Sequence, residues 1–95
     1  MPLETSITER ILKYLNEEIE CCVAEKVAGN AFTKDRPDIN ACWKGLAVRI
    51  EVKSPDHDNK PTKGQLLDLK KWKRAGALTM VAYSLLDVKK VINND

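Results

Sequence analysis

The stretch from residue 38 to residue 53 constrains the fold more than any other part of the chain. Two runs of β-forming residues, 38–43 and 46–53, are separated only by Lys44-Gly45. A two-residue connection that contains glycine is typical of a β-hairpin. Apolar and polar residues alternate along both runs, as they do in strands with one buried face. The pattern therefore predicts an antiparallel hairpin whose apolar face belongs to the core.

This predicted turn determines which residues face each other across the hairpin. Trp43 faces Leu46, and counting outwards from that pair brings Asp38 opposite Glu51. Like charges that are directly opposed destabilise a sheet. A divalent cation such as Mg²⁺ or Mn²⁺, which prefers oxygen ligands, would remove the repulsion. The alternative is a solvated acid pair that is neutralised by nearby cations: Arg36, Arg49 or Lys53.

Lys53 lies two residues after Glu51, on the same face of the strand. Its ammonium group could orient or help to deprotonate an attacking water, or balance the charge that develops on a phosphate. A salt bridge to Glu51 or Asp38 is the purely structural alternative.

The other elements are predicted from apolar periodicity and from residues that cap helices. Ser6 and Glu9 have the spacing of a capping box and predict a helix over 7–17. Thr62 and Gln65 repeat that spacing and predict a second helix that ends near Ala75. Strands at 20–27 and 78–83, loops at 29–36 and 54–60, and a last helix after Ser84 complete the prediction. The order is α-β-β-β-α-β-α, which indicates an α/β fold with a mixed sheet flanked by helices, in one domain over residues 1–95.

Composition excludes several classes of protein. The 95 residues are 43% hydrophobic and 32% charged, as in an ordinary globular domain. No apolar run is long enough to span a membrane, and the first residues do not form a secretory signal. The three cysteines fit neither a zinc site nor a disulfide framework. We interpret them as reduced, buried residues of a cytoplasmic protein: Cys21, Cys22 and Cys42.

The net charge of +2 does not by itself indicate a nucleic-acid-binding protein. Basic residues are nevertheless concentrated between residues 60 and 74, where Asp68 is the single acid. This segment is either a solvated helix face or a surface that contacts phosphates. Its basic residues are Lys60, Lys63, Lys70, Lys71, Lys73 and Arg74. Trp72, within the same segment, has the spacing of a core or interface residue.

The hairpin residues also resemble a known family. Pro37-Asp38, followed by Glu51-Val52-Lys53, resembles the PD-(D/E)XK signature of restriction-endonuclease-like nucleases. The resemblance extends over residues 6–92 to the VRR-NUC (virus-type replication–repair nuclease) branch. Its further motifs are Lys60-Pro61-Thr62 with Gln65, Ala75-Gly76, and Ser84 with Asp87-Val88. The sequence departs from the usual pattern at Asp35-Arg36, where a small turn that contains glycine is expected.

The resemblance implies a restriction-endonuclease-like core and a DNA endonuclease that depends on Mg²⁺ or Mn²⁺. The implied metal ligands are Asp38, Glu51 and the backbone carbonyl of Val52, and the implied catalytic residues are Asp38, Glu51, Lys53 and Gln65. Glu9 matches an acid on the first helix that reaches the metal in this family, although its predicted capping box explains it without a metal. His57 could contact DNA, or it could simply be a solvated loop residue.

The resemblance also implies partners. Short members of the branch indicate a homodimer that acts on branched DNA, such as four-way (Holliday) junctions, in repair or recombination in a bacterium or a phage-infected cell. The basic segment would contact the phosphates, and neither a membrane nor a small-molecule cofactor is expected. Two alternatives remain open: a DNA-binding module that does not cut, and a non-catalytic dimer with a structural network of Asp38, Lys53 and Glu51.

Overall fold

The computed structural model describes residues 3–27, 35–56 and 60–95. Its elements follow the order predicted from the sequence, and they form the predicted α/β fold. They are α1 (Leu3–Glu17), β1 (Cys22–Lys26), β2 (Ile39–Trp43), β3 (Leu46–Val52), α2 (Lys63–Arg74), β4 (Leu78–Ala82) and α3 (Leu85–Lys89). Most of the predicted loop at 29–36, and His57 in the second predicted loop, lie outside the described residues.

The four strands form one mixed sheet in the order β1-β2-β3-β4. The pairs β1–β2 and β2–β3 are antiparallel, whereas β3 and β4 are parallel. Parallel neighbours need a crossover connection, and α2 supplies it. As a result β4 lies at an edge of the sheet, and β3, which carries Glu51, lies between β2 and β4.

The hairpin has the predicted turn and the predicted register. Lys44 and Gly45 both have positive φ, at 52° and 84°, which is the conformation of a type I′ turn. Trp43 pairs with Leu46, and the pairing continues to Ile39 opposite Ile50. One further step along the same register leads to Asp38 and Glu51. The turn therefore sets the position of the acid pair, whose members lie six residues from it on either side.

The two faces of the sheet have different partners. The face towards α1 and α3 is the apolar core, and Tyr14 reaches across it to donate a hydrogen bond to the Ile92 carbonyl at 2.9 Å. Fully buried core side chains include Ile11, Leu15, Ile39, Val48, Ile50, Val88 and Ile92. Helix α2 lies over the opposite face, which carries Arg49 and Glu51. No helix within the described ranges has both the length and the apolar character to cross a bilayer.

The predicted start of the first helix is wrong. Helix α1 begins at Leu3 rather than after Ser6, so Ser6 and Glu9 do not form a helix cap. The extra turn is held by the buried residues that follow it, since Ile7 and Thr8 are both buried and the Thr8 hydroxyl donates to the Glu4 carbonyl at 2.8 Å. Glu4 in the first turn also suits the positive end of the helix dipole.

The prediction that all three cysteines are buried is also wrong. The cysteines are free thiols, but only Cys22 is buried, while Cys21 and Cys42 are exposed. Cys42 lies on the sheet face opposite the core, because alternate residues of a strand point to opposite sides. Cys21 precedes β1 in a left-handed conformation with φ at 55°.

Candidate functional site

Asp38 is held at the end of the hairpin by its own backbone and side chain. Its carbonyl accepts a hydrogen bond from the Val27 amide at 2.8 Å. Its Oδ2 accepts one from the Val52 amide at 2.7 Å. In an extended strand the N–H and C=O of one residue point the same way, so the Val52 carbonyl lies on the Asp38 side of β3. The backbone therefore presents a carbonyl oxygen beside this carboxylate.

Glu51 is a buried acid, with only 2% of its surface exposed. Its Oε2 accepts a hydrogen bond from the Gln65 side-chain amide at 3.2 Å and lies 4.0 Å from the Lys53 ammonium. The Lys53 side chain is itself only 12% exposed. With both acids ionised, Glu51 Oε1 is buried and has no hydrogen-bond donor among the described residues.

These surroundings change the protonation of Glu51. Its pKa is raised from 4.5 to about 9, first by burial and then by the hydrogen bond and the charge of Asp38. Glu4 contributes in the same direction, whereas Lys53 lowers the pKa. Burial penalises the charged form of an acid, and a second carboxylate nearby adds to the penalty. Without a cation, Glu51 therefore holds a proton at neutral pH.

The residues present fit a divalent cation. No group of three His, Cys, Asp or Glu side chains within the described ranges forms a ready-made metal cluster. The oxygen set that is present consists of two carboxylates and a backbone carbonyl, which matches the way Mg²⁺ is commonly held, together with water and substrate phosphate. A cation beside Glu51 Oε1 would displace the proton and supply the missing partner of that buried oxygen.

Gln65 reaches the site from the start of α2, and the capping box predicted there is confirmed. The Gln65 backbone amide donates to Thr62 Oγ1 at 3.1 Å, and the Thr62 backbone amide donates to the side-chain Oε1 of Gln65 at 2.8 Å. The side-chain nitrogen of the same Gln65 donates to Glu51. The helix cap thus fixes the position of the donor that faces Glu51.

The first helix contributes Glu4 rather than Glu9 to the surroundings of the acid pair. Glu9 is exposed on α1, and its charge does not contribute to the pKa of Glu51, whereas the charge of Glu4 does. The sequence contained a signal for this residue. Glu4 precedes the buried Ile7 and Thr8 by three and four positions and so shares their side of the helix.

The unusual Asp35-Arg36 segment packs against the start of α2. A Cβ atom at Gly64 would lie 2.8 Å from the Asp35 carboxyl group, which is closer than the two could approach without a shift. The loop lacks the expected glycine at this point. Gly64, on the helix, leaves the space that the Asp35 carboxyl group occupies. This contact places Arg36 on the α2 side of the sheet.

The residues of the predicted basic segment line several pockets around α2, and Lys70, Lys71 and Arg74 share one of them. Lys70, Lys73 and Arg74 line a groove between α2 and β4. Lys71 lines a different pocket, between α2 and the hairpin, and pairs with Asp68 at 3.1 Å. Lys60 and Lys63 are exposed at the start of α2. The pocket between α2 and the hairpin also contains Arg49. The Arg49 guanidinium lies 3.9 Å from the centroid of the Trp72 ring, a contact that the sequence pattern did not predict.

Comparison with known proteins identifies the fold. The sequence matches no family model, and a comparison with curated proteins finds no relative. A solved structure described as "VRR_NUC domain" aligns with a TM-score of 0.76 over 96% of this chain and 95% of that chain, at 20% identity. A second, described as "VRR_NUC domain protein", aligns with a TM-score of 0.73 over 99% of this chain and 93% of that chain, at 14% identity. The chain has the VRR-NUC fold.

The similarity to VRR-NUC structures covers nearly the whole of each chain, so it includes both the hairpin and the crossover helix. This VRR-NUC fold brings together Asp38, directly before β2, Glu51 of β3 and Gln65 of α2. It also explains why the acids meet where they do, since the hairpin ends at the point where the chain leaves the sheet for α2.

Proposed function

We propose that the protein is a metal-dependent DNA endonuclease in which Asp38, Glu51 and the Val52 carbonyl bind Mg²⁺ or Mn²⁺. One observation carries the proposal: a buried carboxylate with an unpartnered oxygen faces a second carboxylate, and its pKa is raised to about 9. A pair of this kind lowers stability unless something compensates for the charges. Such a cost is common at functional sites, where it is retained for the chemistry that it permits.

The side chains divide the work of phosphodiester hydrolysis. A bound cation would polarise the phosphate and lower the pKa of a water ligand. Asp38 is pre-oriented by its hydrogen bond to the Val52 amide, and Glu51 by its bond from Gln65. Lys53, at 4.0 Å from Glu51, is close enough to direct a water or to balance the charge on a phosphate, without being fixed in a short ion pair. Glu4, rather than Glu9, would add charge near the waters of the metal.

A cleavage assay tests this proposal. The protein is incubated with Mg²⁺ or Mn²⁺ and with labelled four-way junction, flap, splayed and duplex DNA, and products are followed over time. We expect cleavage of branched DNA first, and we expect Lys53→Met to slow it by at least about 100-fold. Lys13→Met removes an exposed cation from α1 and should cut at the parental rate.

Equal rates for Lys53→Met and the parent would contradict the catalytic assignment. Salt-sensitive binding to junctions with no cleavage in either metal would instead support the alternative, a DNA-binding module of the same fold. The panel of substrates also decides whether branched DNA is preferred, which the family resemblance implies.

We further propose that the protein is a homodimer formed across α2 and β4. Leu66 and Leu67 are 50% and 57% exposed on α2. Leu66 lines a groove of about 560 Å³ whose apolar wall includes Met80 and Val81 of the edge strand, and Leu67 lines the adjoining pocket on α2. An open edge strand next to exposed leucines is a surface that natural proteins usually cover. A second copy would cover it symmetrically.

The molar mass in solution tests the dimer. Size-exclusion chromatography with light scattering should give twice the chain mass for the parent and the chain mass for Leu66→Lys. Leu86 is 60% exposed on α3 and provides the matched control, because Leu86→Lys should remain dimeric. A monomeric parent, or a dimer that persists in Leu66→Lys, would contradict the proposed interface.

A further inference from the structure

A polar pocket that is separate from the acid pair lies on the same side of the sheet. It has a volume of about 300 Å³ and opens between α2 and the hairpin. Arg36, Asn40 and Arg49 line it from the hairpin side, and Asp68, Lys71 and Trp72 line it from α2. The proposed metal site does not use any of these residues.

Arg49 is positioned in this pocket by Trp72. Its guanidinium stacks on the indole ring at 3.9 Å from the centroid, and one terminal nitrogen donates to the Val48 carbonyl at 2.9 Å. The Nε of Arg49 is buried and has no hydrogen-bond acceptor among the described residues. Stacking uses the flat face of a guanidinium and leaves the N–H groups in its plane available. Arg49 is therefore held in one place with unused donors.

The charge in the pocket indicates the sign of its ligand. Three cations, from Arg36, Arg49 and Lys71, are opposed by the single carboxylate of Asp68. Lys71 pairs with its Oδ1 at 3.1 Å, whereas its Oδ2 is buried and has no hydrogen-bond donor among the described residues. The surplus of positive charge and the unused Arg49 donors favour an anion with several oxygen acceptors, and guanidinium groups match phosphate in this respect.

The position of Arg49 favours one particular phosphate. Arg49 precedes Glu51 by two residues and shares its face of β3, so the two side chains start about 6.6 Å apart along the strand. This is comparable with the spacing of successive phosphates along a nucleic-acid strand. A DNA strand whose scissile phosphate lies at the acid pair would thus bring a neighbouring phosphate to Arg49.

We propose that the pocket of Arg49, Trp72, Arg36 and Lys71 binds the backbone phosphate adjacent to the scissile one. The inference rests on the nuclease function proposed above and gives the substrate a direction across the sheet. Arg49 contacts the phosphate, and Trp72 is a positioning residue that acts through Arg49. Trp72 does not stack on a base from this side, because the guanidinium covers that face of its ring.

Binding measured separately from cleavage tests the proposal. Fluorescence anisotropy with labelled duplex DNA, in Ca²⁺ instead of Mg²⁺, is repeated over about 50 to 200 mM salt. Arg49→Gln should weaken binding by about tenfold, the usual loss for a hydrogen bond to a charged group. The slope of log affinity against log salt should fall by about 0.9, which corresponds to one phosphate contact. Lys13→Gln, which removes an exposed charge on α1, should change neither quantity beyond error.

Variants of Trp72 distinguish its positioning role from a direct one. Trp72→Phe keeps an aromatic face for Arg49 and should retain most of the affinity. Trp72→Leu should weaken binding about as much as Arg49→Gln does, and the double variant should be no weaker than either one. Losses that add in the double variant would overturn the positioning role.

Arg49→Gln that binds like Lys13→Gln would overturn the phosphate site. If Arg49→Gln does not fold, Arg49→Lys decides, because it keeps the charge but lacks the planar fork. It should bind at least about threefold more weakly with an unchanged salt slope, and parental affinity would refute the proposal. Binding that depends on Arg49, in a protein that cuts no DNA with either Mg²⁺ or Mn²⁺, would contradict the nuclease function and leave Arg49 as a phosphate-binding residue.

Discussion

Replacing Glu51 by Gln should stabilise the protein while abolishing the proposed activity. The folded-state pKa of Glu51 is raised from 4.5 to about 9, so between these values the folded protein keeps a proton that the unfolded chain releases. The stabilisation that this retained proton provides is complete below pH 4.5. It is lost as pH rises towards 9, at about 1.4 kcal/mol per pH unit. At pH 7 the loss amounts to about 3 kcal/mol, and at pH 5 to less than about 1 kcal/mol.

Gln resembles the protonated acid in shape and has no charge to lose at any pH. Its amide can still donate a hydrogen bond to Asp38, although with different geometry, so we expect Glu51→Gln to gain about 1–3 kcal/mol at pH 7. For a domain of this size, that gain corresponds to a rise in Tm of roughly 5 to 20 °C. The advantage should shrink towards zero at pH 5 and grow at pH 8.

Thermal melts at pH 5, 7 and 8 in EDTA measure this difference. Glu9→Gln is the matched control, since Glu9 is an exposed acid of α1, and its melts should follow the parent at each pH. Mg²⁺ should then raise the Tm of the parent but not that of Glu51→Gln, because a ligand stabilises only the form that binds it. Metal affinity of the parent should increase with pH, because binding releases the proton.

The reasoning is refuted if Glu51→Gln melts below the parent by an amount that does not vary with pH. That result would mean that the ionised carboxylate is a structural anchor for Lys53 and Gln65. It would favour the non-catalytic alternative, in which Asp38, Lys53 and Glu51 form a stabilising network.

Substitutions at three further positions test particular contacts. Asp38→Asn should abolish cleavage but lower the free energy of unfolding by less than about 1 kcal/mol, because the amide oxygen can still accept from the Val52 amide. Asp38→Ala removes this acceptor and should lower the free energy of unfolding, measured by urea titration, by about 1–3 kcal/mol more. Gly64→Ala should lower the Tm even though alanine favours helices, because its methyl group would meet the Asp35 carboxyl group. An unchanged or higher Tm would show that the Asp35 side chain moves aside without a cost. Lys44→Asn should raise stability by about 0.5–1 kcal/mol in the same titrations, since asparagine suits the left-handed φ of 52° at this turn; a loss would contradict the type I′ assignment.

Much of the hairpin could be predicted because its information is local. The two-residue turn set the register, and the alternation of apolar residues set the face, so the facing of Asp38 and Glu51 followed from counting. The capping pair Thr62 and Gln65 likewise located the start of α2. The same spacing at Ser6 gave a wrong prediction, because the buried residues Ile7 and Thr8 stabilise a helix that begins one turn earlier.

The surroundings of the site depend on contacts between distant segments, and these could not be read from spacing. Glu51 is buried because α2 crosses over it, which no property of β3 alone indicates. Arg49 and Trp72 are 23 positions apart in the sequence and meet only because the crossover is packed on that face. The basic residues are close together along the chain, but the helix distributes several of them among the groove beside β4, the pocket beside the hairpin and a pocket between these two.

The side chain of Gln65 has a consequence for substitution at the start of α2. A capping box accepts either glutamate or glutamine at this position, because both offer an oxygen to the Thr62 amide. Here the nitrogen of the same side-chain amide group must also donate to Glu51 at 3.2 Å. Glutamate would preserve the helix and place a third negative charge against an acid that already resists ionisation. A residue that is interchangeable by the rules of helix formation is thus restricted to one choice by electrostatics, and the helix cap and the proposed active site can vary only together.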